Sequence, residues 1–207
     1  MDKTPTVVPA YLVGDDKRTK ILRAAQKLFL RDGLSTTSMD AITHEAGVSK
    51  ATVYAYFASK EKLFETLIRL GSDNVLNMIP PLEHKGGEPQ AELLAFFQPL
   101  INILFVAGGS AWGRLLIAEA LRYPESARFY YACTIERITQ SVERYLTALA
   151  RAGLFAASDL QRSAEALTAM ILVGPLHRVL LVGPDAVDFR GALAFGIELL
   201  LKPPPSA

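Results

Sequence analysis

The sequence predicts an all-α chain, and three observations predict it. Apolar residues recur at helical spacing in one segment after another, Ser or Thr stands before several of these segments with Gly or Pro beyond them, and no stretch sustains strand alternation. Half of the 207 residues are apolar, enough to build a sizeable core.

Ile21, Ala24, Ala25, Leu28 and Phe29 form one apolar stripe of a first helix, which stops at Asp32-Gly33. The loop LSTTS then offers Thr37 or Ser38 as N-cap of a short second helix, with Met39, Ile42, Thr43 and Ala46 on one face and Gly47 as a left-handed stop. Ser49 can cap a third helix, expected over 50 to 57. Ser59 can cap a fourth over 60 to 79, with Glu61 in its first turn. PPLEHKGGEP, 80 to 89, breaks the pattern with three prolines and two glycines. Beyond it, helical segments are expected at about 90 to 106, 112 to 122, 125 to 152, 159 to 182 and 186 to 201. Pro175 is expected to kink the fourth of these. Residues 1 to 14 and the tail 203 to 207 read as disordered; between them the expected organisation is a small helical domain over 15 to 60 and a larger one over 61 to 202, connected by the helix 60 to 79.

The near-neutral total charge hides an asymmetry. Residues 17 to 70 hold ten bases against five acids, a balance of +5, which leaves −4 on the remainder. A basic module on a mildly acidic body suits contact with nucleic acid, although a solvated charged helix face gives the same numbers. Other classes find little support. The apolar run at 166 to 183 is interrupted by Thr168, Pro175, His177 and Arg178, so no spanning helix is expected, and MDKTPTVVPAYLVG does not resemble a secretory leader. With Cys133 alone there is no internal disulfide, and a cytoplasmic location is expected. GGSAWG lacks the last glycine of a nucleophile elbow, His44, His84 and His177 lack metal-site spacing, and no phosphate-cradling glycine motif occurs. Neither catalysis nor a cofactor is expected.

The second and third helices joined by GVS have the form of a helix-turn-helix, whose second member enters the major groove. At 100° per residue Val53 and Phe57 point inward, while Ala51, Ala55 and Tyr54 point away. Small alanines let the helix approach a groove, and Lys50 at its start can reach base edges. Thr52 and Tyr56 share a flank where hydroxyls suit phosphate oxygens.

STTSMDAITHEAGVSKATVYAYFASKEKLFETLI resembles the DNA-binding domain of the TetR/AcrR family of transcriptional regulators, and the likeness runs over about 17 to 70. By position, the resemblance implies phosphate contacts at Thr37, Thr52, Tyr56 and Lys60 and base contacts at Lys50, Ala51 and Tyr54; Ser38 is added as a cap facing the DNA. It also implies a homodimer on a palindromic operator and a larger helical domain for effector binding and dimerisation. The part of the chain over about 112 to 183, beginning at Trp112, resembles the AefR-like branch. In that family the last two long helices pair across the dimer axis, which puts Ala166, Ala169, Met170, Val173, Ala192, Phe195 and Leu199 at the interface. An effector pocket between helices is expected to be mostly apolar with a few polar groups. Candidates are Phe97, Asn102, Phe105, Trp112, Leu116, Glu119, Tyr130, Met170 and His177, and their aromatic bias suggests a small hydrophobic or aromatic ligand. The expected function is a ligand-responsive repressor. A DNA-binding regulator controlled by a protein partner, with no small effector, is the alternative.

Overall fold

Asp16, Ser38, Ser49 and Asp159 each accept a backbone N–H at the start of a helix, satisfying donors that a first turn leaves unpaired. The computed structural model describes residues 12–77, 80–103, 109–183 and 187–201, and among them every regular element is helical. In order these are α1 (Lys17–Asp32), α2 (Met39–Ala46), α3 (Lys50–Tyr56), α4 (Lys60–Asn77), α5 (Pro89–Ile101), α6 (Gly109–Glu119), α7 (Pro124–Tyr131), α8 (Arg137–Arg151), α9 (Leu160–Thr168), α10 (Gly174–Val182) and α11 (Phe189–Leu201). Wider π turns, Ala132–Glu136 and Ala169–Val173, join α7 to α8 and α9 to α10. The second accommodates Pro175: the helix runs unbroken over Leu160–Val182, with the missing N–H falling at the start of α10.

The chain divides into two compact units. One is Met1–Leu76 with Ala111–Cys133, the other Asn77–Ser110 with Thr134–Ala207. The sequence places 61 to 202 in one domain, whereas here α7 and most of α6 belong with the N-terminal helices. Their side chains show why. Phe64 makes an edge-to-face contact with Phe29 at 5.8 Å and a tilted one with Trp112 at 5.9 Å, and the Arg69 guanidinium lies 4.9 Å from the Phe129 ring centroid. Aromatic pairs of this kind contribute about 0.5–1.5 kcal/mol beyond their buried area. Each passage between the units falls inside a helical segment: in α4, in α6 and in the π turn before α8.

Leu12 corrects the expected N-terminal arm, because it is 1% exposed and belongs to the core of the first unit. Residues 1–11 and the tail 203 to 207 lie outside the described residues. In the second unit α8 packs on α9, and α11 lies against α5 and the π turn before α10. Leu160–Val182 is long and apolar enough by composition to cross a membrane, contrary to the expectation from sequence; in this fold one of its faces packs on α8 and α11.

Candidate nucleic-acid interface

The turn between α2 and α3 is made by Gly47, at φ 64° and ψ 34°, a left-handed conformation that a β-carbon disfavours. Its N–H bonds to the His44 carbonyl, and the Val48 N–H bonds to that of Thr43. Ser49 then caps α3 by accepting the Thr52 N–H at 3.2 Å. Val53 and Phe57 are buried against Ile42 and the α1 core, so the rest of α3 faces outward. The N-cap of α2 is Ser38, the second of the two hydroxyls expected for that role.

Lys50, Ala51, Tyr54 and Tyr56 are all exposed, Tyr54 at 46% and Tyr56 at 49%. Both phenols thus stand half in water on a helix of seven residues, where a partner can reach them. The Lys50 ammonium lies 2.7 Å from Asp40 of α2, a pair whose members are both well exposed. The Thr52 and Ser49 hydroxyls bond to each other at 2.8 Å, with Ser49 exposed and Thr52 half-buried. Ser38 is exposed too.

Two phosphate assignments change. Thr37 is only 4% exposed, and its hydroxyl donates to the Gly33 carbonyl at 2.7 Å, so that hydroxyl cannot reach a phosphate in this conformation. The Lys60 ammonium donates to three carbonyls, those of Leu34 at 2.8 Å, Ser35 at 2.9 Å and Thr37 at 3.0 Å. All three of its protons are thereby directed at the loop between α1 and α2. The loop converges on Lys60 because Gly33, at φ 90°, turns the chain after α1.

Sequence also places Glu119 in an effector pocket, and the structure gives it another task. Its carboxylate accepts the Ser35 N–H at 2.9 Å and the Ser35 hydroxyl. Burial raises its pKa, but these two hydrogen bonds and the charges of Arg122 and Lys60 outweigh burial and hold it below the ordinary value. The other pocket candidates do not gather into one described site. Trp112, Leu116 and Tyr130 pack in or against the core of the first unit. In the second, Phe97 is fully buried, Met170 is half-buried, and Asn102 and His177 are exposed. The His177 Nδ1 pairs with its own helix at the Val173 carbonyl, 3.0 Å away. Phe105 lies outside the described residues.

Two polar features of the second unit escape a reading of the sequence. Glu92 of α5 accepts the Tyr145 hydroxyl at 2.7 Å and the Lys85 N–H at 3.0 Å, with the His84 Nδ1 at 2.9 Å. Burial opposes ionisation there, but these hydrogen bonds prevail and lower the Glu92 pKa to about 2. Thr168, 1% exposed and next to a π turn, has a hydroxyl with no hydrogen-bond partner among the described residues. No periodicity signals either feature; only the Thr168 hydroxyl inside an apolar helix hints at one.

Comparison with known proteins supplies the context. A family profile described as bacterial regulatory proteins, tetR family, matches residues 21–67. A second, described as the C-terminal domain of AefR-like transcriptional repressors, matches residues 91–191. The HTH-type transcriptional regulator YfiR of Bacillus subtilis strain 168 is 37% identical over 65 residues, 31% of this chain and 32% of that relative. AcrR of Shigella flexneri is 32% identical over 89 residues, 43% of this chain and 40% of the relative. The chain thus spans less than half the length of these two curated relatives. The solved structure of the flavonoid-responsive regulator FrrA has 30% identity and a TM-score of 0.75, over 88% of this chain and 91% of its own.

Proposed function

The chain belongs to the tetR family of bacterial regulatory proteins, with a helix-turn-helix and an AefR-like C-terminal region, and on that premise we propose that it is a homodimeric repressor that releases a palindromic operator when a small aromatic effector binds. The outward face of α3 carries this reading: Lys50, Ala51 and Tyr54 stand exposed above the buried Val53. We assign base contacts to these three and phosphate contacts to Ser38, Thr52 and Tyr56, with Thr37 and Lys60 holding the loop from beneath.

Dimerisation is supported by an apolar surface on the last two long helices. Leu181, Val182, Phe195 and Leu199 are at least half exposed, and none of the seven residues expected at the interface is buried. A second copy covering that surface accounts for the membrane-like composition of Leu160–Val182 and stabilises the pair through apolar burial. The effector reading draws on the AefR-like match and on the likeness to FrrA, which is flavonoid-responsive. Phe97 stays as an apolar candidate for its site, and the buried Thr168 hydroxyl, without a hydrogen-bond partner among the described residues, is a polar candidate in the same compact unit. Such a ligand weakens operator binding by favouring the protein conformation with the lower DNA affinity. The site of action is the cytoplasm, where the DNA lies.

Footprinting on DNA upstream of the protein's own gene tests the reading. The expected result is a protected palindrome whose half-sites lie about 34–36 Å apart or slightly more. Indifference between that DNA and random fragments would overturn it.

A further inference from the structure

We propose that Glu119 is a positioning residue for operator binding: from the last residue of α6, its carboxylate holds the α1–α2 loop in the shape that presents α2 and α3. This rests on the DNA-binding reading above and adds to it a connection that no recognition-helix residue supplies. Ser35 is gripped from both sides. Its N–H and hydroxyl go to Glu119, 84 positions away in sequence, while its carbonyl goes to the Lys60 ammonium at 2.9 Å. Lys60 also draws in the Leu34 and Thr37 carbonyls, so the backbone just before the Ser38 cap of α2 is fixed by one cation and one anion.

Gly33 belongs to the same arrangement. A β-carbon there would lie 3.4 Å from Glu119 Oε1, and the φ of +90° already disfavours a side chain. Glu119 is itself anchored, since its carbonyl accepts the Arg122 and Tyr123 N–H groups at 3.0 and 2.8 Å as α6 ends. The groups facing its carboxylate are Ser35, Lys60 and Arg122. The end of α6 that carries Glu119 and the loop that carries Ser35 belong to the same compact unit, so the contact is internal to it. The carboxylate thus makes the geometry of the DNA-binding helices depend on α6.

Charge and positioning predict opposite outcomes for Glu119→Gln. Removing an anion from a DNA-binding protein should tighten binding to every sequence. If Glu119 positions the loop, operator affinity instead falls about tenfold while random-DNA affinity is unchanged or slightly higher, since hydrogen bonds to a charged group are worth about a factor of ten or more. Ser35→Ala, which keeps the N–H contact, should cost about threefold, and the double variant should lose no more than Glu119→Gln alone, because both remove one interaction. Fluorescence anisotropy with operator and scrambled duplexes, well below each variant's Tm, measures all of these. Should Glu119→Gln fail to fold, Ser35→Ala decides. Unchanged operator affinity in the folded variants, or losses that add, would overturn the proposal while wild-type binding still upheld the DNA-binding reading. Wild-type failure on any duplex from the gene's flanks would overturn both.

Discussion

Helix α3 and the loop before α2 hold similar polar residues and use them in opposite directions. On α3, Lys50 pairs with Asp40, itself exposed at 70%, and Tyr54 and Tyr56 project into water. Under the loop, Lys60 meets three backbone carbonyls and Thr37 a fourth. The α3 partners are hydrated side chains that a phosphate or a base edge can replace at small cost, since an exposed ion pair is worth only about 0–1 kcal/mol. The carbonyls under the loop have no such substitute: withdrawing Lys60 strands acceptors that are partly shielded from water. A cation's sequence position therefore says less about its task than the number of carbonyls converging on it.

The largest expected effect tests the outward half of this comparison. Tyr54→Ala and Lys50→Ala should each cost about 1–3 kcal/mol on the operator, about 5- to 150-fold in Kd, and far less on random DNA. Equal losses on both would mean that α3 does not read bases. Glu92 tests the inward kind of polar group elsewhere. Its folded pKa of about 2 lies below the ordinary 4.5, so the stabilisation from its contacts is present in full above about pH 4.5 and is lost as the pH falls toward 2. Glu92→Gln should destabilise by about 1–3 kcal/mol at pH 7 and flatten the acid limb of a denaturation series. An unchanged acid limb would show that the carboxylate's contacts do not persist in solution.

Lys60→Ala separates the two halves directly. With the ammonium holding the loop, the expected result is a lower Tm, by a few degrees for a loss of about 1–2 kcal/mol, weaker operator binding and an unchanged dependence on salt. A phosphate contact predicts the reverse, an intact Tm and a salt slope smaller by about 1. That second outcome would erase the distinction between Lys50 and Lys60.

What was legible in the sequence follows the range of the interactions. Helices α1 to α3, with Ser49 as a cap and Val53 turned inward, are set by residues within one or two turns of each other, and period and capping chemistry reveal them. Glu119 read as pocket polarity because its partner Ser35 is 84 residues away. Trp112 read as a pocket wall because an aromatic at helical spacing looks the same whether it meets a ligand or Phe64. The stretch 80 to 89 reads in sequence only as a break in the helical pattern, from its prolines and glycines, yet Glu92 takes hold of His84, Lys85 and Gly87 within it. Thr37 and Ser38 are adjacent hydroxyls; only the turn at Gly33 decides that the first is buried and the second exposed.

Tyr56 carries the smallest expected effect and the finest test of the outward set. It lies on the last turn of α3 beside the buried Phe57, with ring centroids 6.5 Å apart, so its ring has apolar company on one side while the residue as a whole remains 49% exposed. Tyr56→Phe keeps the ring and removes only the hydroxyl. If that hydroxyl donates to a phosphate oxygen, operator and random DNA should both weaken by about 0.5–1.5 kcal/mol, because a phosphate contact carries no base information. The salt slope should not move, because a neutral donor displaces no counterion. Stability should not change either, since no partner inside the protein is lost. Anisotropy titrations at three salt concentrations measure the affinity and the slope together. A loss confined to the operator would move Tyr56 into the base-reading set with Tyr54, and no loss at all would leave its phenol as the water-facing edge of a packing residue.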